Sequence, residues 1–170
     1  MKGLVPRLAE AVVTLVMMGT CGVALAQTPS PSNGASFDIS PHHAAISVPN
    51  LEESVAWYQR MLGFEVVRRV APNANISIAL LRRNGCYLEI FQVAGAQPLP
   101  ESRRNPTADL AVHGIKHFAF EVADARGAAA TLKARGAEVV MGPVENATEI
   151  FFFVRDNAGN AFEVIQYKAP

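Results

Sequence analysis

HHAAISVPNLEESVAWYQRMLGFEVV, residues 42–67, carries the reading on which the fold turns. HHAAISV (42–48) is a short β-prone run. Leu51, Val55, Tyr58 and Leu62 then recur at helical spacing, and Gly63 is a natural stop for that helix. Three strand-like runs follow: FEVVRRV (64–70), ISIALLRR (76–83) and CYLEIFQV (86–93). Asn84-Gly85, between the last two, is a strong hairpin signal because both turn positions need positive φ. The order is strand, helix, then three strands, a βαβββ unit.

The same order recurs further on. IKHFAFEV (115–122) is a strand, Ala125 to Arg135 an Ala-rich helix, and Gly136 its stop. AEVVMG (137–142), EIFFFVRD (149–156) and AFEVIQY (161–167) complete the second unit, with the turn DNAGN (156–160) joining the last two. His43 and His117 are 74 residues apart, and so are Glu89 and Glu163, Val48 and Val122, Asn50 and Asp124, and Gln92 and Gln166. GFEVV (63–67) and GAEVV (136–140) match at 73, so one residue is absent around the second helix. The expected class is α+β, with tandem modules 42–93 and 115–167 forming an eight-stranded open cup. A polar connector, 94–114, joins them and contains Pro98, Pro100 and Pro106.

Composition sets the outer bounds. The chain has 170 residues, half hydrophobic and 18% charged, enough for one domain. Fifteen basic residues balance fifteen acidic ones without a basic stripe, which argues against nucleic acid as a partner. Lys2 and Arg7 precede an apolar stretch, residues 11–26, ending in Ala24-Leu25-Ala26. That is the pattern of a cleaved signal peptide, 1–26, followed by a flexible lead, 27–41, and it places the mature protein in the periplasm or outside the cell with no membrane span. Cleavage removes Cys21 and leaves Cys86 alone, so no internal disulfide is possible and stability must come from the core or a metal.

Strand parity turns the repeat into a candidate site. Side chains alternate between the two faces of a strand. Ala44, Ile46 and Val48 face the helix, leaving His43, Ala45 and Ser47 opposite; Tyr87, Glu89 and Phe91 share that opposite face. The second unit does likewise, with Phe118, Phe120 and Val122 in the core and His117 and Glu163 on the open face. An unpartnered Glu on a sheet face costs several kcal/mol or more. Two such Glu, matched by two His, are the donor set of a divalent first-row metal: Ni, Zn, Co, Mn or Fe. Tyr87 and Phe91, flanking Glu89, are candidates for lining a substrate pocket, and Arg103 and Arg104 for meeting an anionic substrate. His42 and His113 break the repeat and are expected to be bystanders; Cys86 is expected in the core.

The first stretch also resembles the opening of a glyoxalase/bleomycin-resistance module, with Trp57-Tyr58 and Leu62-Gly63-Phe64 in the places of that family's helix aromatics and Leu-Gly-Phe. RDNAGNAFEVIQ (155–166) is similar to the family's closing motif, with Asn157 where a Pro is usual. The resemblance, to the vicinal oxygen chelate superfamily, covers about residues 42–167. It implies metal ligation by His43, Glu89, His117 and Glu163, as in glyoxalase I. It implies a lyase or isomerase that abstracts a proton beside a carbonyl and stabilises the enediolate, with Glu163 as first choice of base and Glu89 its partner or ligand. It also implies a small-molecule substrate with adjacent oxygens, and either pairing of the modules within a chain or a homodimer. The rivals are an extradiol-type dioxygenase using Fe(II), for which Glu89 is dispensable, and a non-catalytic small-molecule or drug binder.

Overall fold

The computed structural model describes residues 39–169; the expected signal peptide and nearly all of the lead lie outside them. No described helix is long and apolar enough to cross a membrane. The first module runs β1 (His43–Ser47), α1 (Leu51–Leu62), β2 (Glu65–Asn73), β3 (Ile76–Arg83) and β4 (Cys86–Val93). The connector holds a 3₁₀ turn, Glu101–Arg103, and a single helical turn, α2 (Pro106–Asp109). The second module runs β5 (Ala119–Glu121), α3 (Ala125–Ala134), β6 (Glu138–Glu145), β7 (Glu149–Arg155) and β8 (Ala161–Tyr167).

Each helix begins and ends for a local reason, and the reasons repeat. Asn50 caps α1 by accepting from the Glu53 amide, and Asp124 caps α3 by accepting from Gly127. Gln92 and Gln166, at equivalent places on β4 and β8, accept from the next free amides, Leu51 N at 2.7 Å and Ala125 N at 2.9 Å. Gly63 ends α1 in the left-handed region, φ 67°, its amide bonded to Gln59 O. The residue missing from the second copy is taken from this exit. The Phe64 amide closes on Tyr58 O, six residues back, whereas the equivalent Ala137 amide closes on Leu132 O, five back.

The strands form two four-stranded sheets, ordered β1-β4-β3-β2 and β5-β8-β7-β6. In each, the first strand runs parallel to the last and the others are antiparallel. Parity holds: Ile46, Leu88, Ile90, Phe152, Phe162 and Val164 are buried on the helix side. One apolar core joins the modules, with Trp57 packed edge-on against Phe162 at 6.1 Å and Phe64 against Phe120 at 5.7 Å. Each such aromatic pair adds about 0.5–1.5 kcal/mol beyond its buried area. Tyr58 crosses the same junction and donates its hydroxyl to Asp156 Oδ2 at 2.9 Å.

Two expectations need correction. The strand expected over 115–122 is confined to Ala119–Glu121, because Lys116 is drawn away to the connector, where its ammonium bonds the Asp109 and Val112 carbonyls. The ladder nonetheless reaches back to Phe118, whose carbonyl accepts from Glu163 N at 2.9 Å. Cys86 is exposed rather than core: it is the first residue of β4, directly after the Asn84-Gly85 turn.

Candidate functional site

Parallel pairing of β1 with β4 sets His43 opposite Tyr87 and Ala45 opposite Glu89. The His and Glu side chains therefore rise from one face, one step apart, over small Ala45. Their nearest atoms, His43 Nε2 and Glu89 Oε2, are 3.5 Å apart. In the second module Ala119 stands opposite Glu163, and His117 Nε2 lies 3.3 Å from Glu163 Oε2. Glu89 and Glu163 are 19% and 17% exposed, well shielded for carboxylates that pair with no Lys or Arg among the described residues. Both separations exceed an ordinary N–H···O hydrogen bond. Two donors each about 2.1 Å from one first-row cation stand about 3.0–3.4 Å apart, close to both values. Each pair has the chemistry and spacing of half a metal site.

The halves are not assembled within this chain. Among the described residues no three His, Cys, Asp or Glu side chains gather closely enough to hold a cation. Each His–Glu pair is built inside its own sheet, and no hydrogen-bonded ladder joins the two sheets. The eight strands expected of the open cup are present as two four-stranded sheets, one from each module. Both His border one cavity of about 990 Å³ between β1, the connector and the start of β8, while neither Glu lines it.

The remaining candidates separate. Tyr87 and Phe91 stay on the face of Glu89, partly exposed, opposite His43 and Ser47. Arg103 and Arg104 line the cavity, but Arg103 is committed to structure. It binds Asp109 at 3.2 Å and donates to Ile115 O at 2.5 Å. Arg104 pairs with Glu101 at 3.4 Å and is half exposed. Asp109, which the sequence did not mark, is buried between Arg103 and Lys116. Burial pulls its pKa upward, and bonds from the two cations outweigh this and hold it below the usual carboxylate value. His42, expected to be a bystander, contacts His43: the two Nδ1 atoms are 2.7 Å apart. Only adjacency hinted at this.

Comparisons with known proteins give the family. The model of the Glyoxalase/Bleomycin resistance protein/Dioxygenase superfamily matches residues 40–164. The chain belongs to that superfamily. A lactoylglutathione lyase of Neisseria meningitidis is 31% identical over 134 residues, which is 75% of this chain and 90% of that protein. Among solved structures, a glyoxalase family protein from Enterococcus faecalis aligns with a TM-score of 0.62 at 26% identity, over 74% of this chain and 96% of its own. Glyoxalase I from Zea mays gives 0.59 at 23% identity over 76% of this chain and 44% of its own, a likeness of fold alone. Glyoxalase-superfamily membership and the lyase relative support a glyoxalase-like function.

Proposed function

We propose that this chain is an exported, metal-dependent glyoxalase-like lyase whose metal centre is completed between two copies. The observation that carries the reading is the pair of matched His–Glu half-sites. His43 lies on the edge strand β1 and His117 two residues before the edge strand β5, each beside a Glu on the neighbouring inner strand, β4 or β8. An edge strand leaves backbone donors and acceptors unpaired along one side and invites pairing with another chain. Two copies related by a two-fold axis would lay the β1 edge of one along the β5 edge of the other. His43 and Glu89 of one copy would then face His117 and Glu163 of its partner, twice per dimer.

His43, Glu89, His117 and Glu163 would hold the cation, one of Ni, Zn, Co, Mn or Fe. Two carboxylates balance its charge, and four protein donors leave room for two substrate oxygens. The cation, when bound, stabilises negative charge developing on those oxygens. Glu163 takes the proton from the carbon beside the substrate carbonyl and returns it to the neighbouring carbon. Glu89 stays as ligand, with Tyr87 and Phe91 beside it against the substrate. The apolar leader ending at Ala26 supports export, and Gln27 as the first residue of secreted protein is the expected outcome.

The decisive experiment is metal analysis of the purified chain, then assay of methylglyoxal–glutathione hemithioacetal isomerisation with Ni²⁺ and with Zn²⁺. Stoichiometric metal with turnover supports the reading. Absence of turnover with either ion removes lactoylglutathione lyase activity.

A further inference from the structure

Four arginines stand on β2 and β3, and strand register divides them by face. Arg69 is opposite buried Ala79, and Arg83 lies on the same side of β3 as buried Leu81. Both serve the helix side: Arg69 pairs with Glu52 of α1, and Arg83 donates to Leu62 O at the end of that helix. Arg68 is opposite Leu80, which is opposite Glu89, and Arg82 is opposite Tyr87. These two therefore rise on the face that carries Glu89. The register shift between Val66 and Arg68 decides this. Without it Val67 would stand opposite Leu80, and Arg68 would turn to the helix side.

The second sheet carries the same shift with a different result. Met141 is opposite Phe153, and Phe153 is opposite Glu163, so the row of Glu163 ends on an apolar side chain. Arg155, equivalent to Arg82, pairs with its cross-strand neighbour Glu138 and donates to Arg104 O at 2.8 Å. Arg82 has Glu65 opposite it, but among the described residues neither Arg68 nor Arg82 makes an ion pair or a side-chain hydrogen bond. Both are exposed, beside a partly buried apolar floor of Ile78, Leu80, Tyr87 and Phe91.

We propose that Arg68 and Arg82 bind a carboxylate of the substrate, which makes them specificity-determining residues of the first module. A guanidinium offers a carboxylate two parallel N–H···O bonds, and two cations on one face raise the local concentration of an anion. Arg68 stands two strands from Glu89, about 10 Å at the usual spacing. The substrate class is therefore an acid with a short segment between its carboxylate and its adjacent oxygens, that segment lying over Leu80. This deepens the lyase reading above and rests on it for the reacting end of the molecule.

The first test needs neither metal nor turnover. Side-chain ¹H–¹⁵N spectra of the metal-free chain are followed while 4-phenylbutyrate is added and, in parallel, its neutral amide. The acid should shift the Nε–H signals of Arg68 and Arg82 saturably and leave those of Arg69 and Arg83 in place, and the amide should shift none of them. Arg68→Gln and Arg82→Gln should each weaken binding of the acid about 10-fold or more, while Arg69→Gln should leave it unchanged. An equal response to acid and amide, or no saturable shift at Arg68 and Arg82, would overturn the assignment.

The second test is kinetic. It compares the hemithioacetals that methylglyoxal forms with glutathione and with glutathione diethyl ester. Arg68→Gln and Arg82→Gln should raise KM for the free acid, with kcat little changed, and leave the ester as in wild type. Equal losses on acid and ester would also overturn it. A chain that binds 4-phenylbutyrate at these arginines but turns over neither hemithioacetal removes the lyase reading and leaves the carboxylate site standing.

Discussion

Glu163 of β8 lies 3.3 Å from His117, which leads into β5, much as Glu89 of β4 lies 3.5 Å from His43 at the start of β1. One His–Glu pair, at nearly the same separation, is thus presented twice. The roles proposed for the two carboxylates differ, and that difference is measurable.

Glu163→Gln keeps shape and removes the proton acceptor. Turnover of the hemithioacetal should fall about 10²–10⁴-fold, the usual contribution of a general base, while KM changes little. Glu89→Gln should act mainly on cation affinity, read by calorimetry. Loss of turnover equal in both variants, with metal retained in both, would contradict the division of labour.

Complementation tests the assembly. His43→Ala and His117→Ala chains should each be inactive. Co-refolded in equal amounts, they form hetero-dimers in which one site of two keeps all four native donors. About a quarter of wild-type activity should return, from statistical mixing of a two-fold dimer. A site closed within one chain predicts none.

Tyr58 and Asp156 tie the modules together. Asp156 also accepts from the amides of Ala158 and Asn160 at 2.9 and 2.8 Å, and from Asn160 Nδ2 at 3.0 Å, so the hydroxyl completes a buried set. Burial, then the adjacent carboxylate, pushes the Tyr58 pKa well above its ordinary value, which favours the hydroxyl as donor to Asp156. Tyr58→Phe should cost about 1.5–3 kcal/mol, the range for a bond to a charged acceptor, measured by urea denaturation.

Asp109 should give the chain part of its acid sensitivity. Its folded pKa lies below the unfolded value, so its contribution is fully present above the ordinary carboxylate range and is lost as pH falls through the folded pKa. A plot of Tm against pH should therefore drop less steeply at the acid end for Asp109→Asn than for wild type. The variant should also be less stable near neutrality, where Arg103 and Lys116 lose their shared anion.

Much of this was legible in the chain because it depends on local spacing. The period of Leu51, Val55, Tyr58 and Leu62 gave α1 its limits, and Asn84-Gly85 gave the β3–β4 hairpin its register. Alternation placed His43 with Glu89 and His117 with Glu163, because a parallel neighbour presents the same face at every second residue. The role of Asp109 was invisible, since its partners Arg103 and Lys116 meet it only through the path of the connector. The exposure of Cys86 was misjudged for a related reason: parity tells which face a residue takes, not whether anything covers that end of the strand.

Sequence by itself determined the duplicated βαβββ order, the helix stops and the two His–Glu pairs, all of which rest on backbone geometry within a few residues or on one strand pairing. Tertiary structure alone decided that the pairs stay apart in one chain, that Tyr58 reaches Asp156, and that His42 leans on His43. Those outcomes depend on how two packed modules orient their edges and rings, and periodicity along a chain carries no information about the rotation of one module against another.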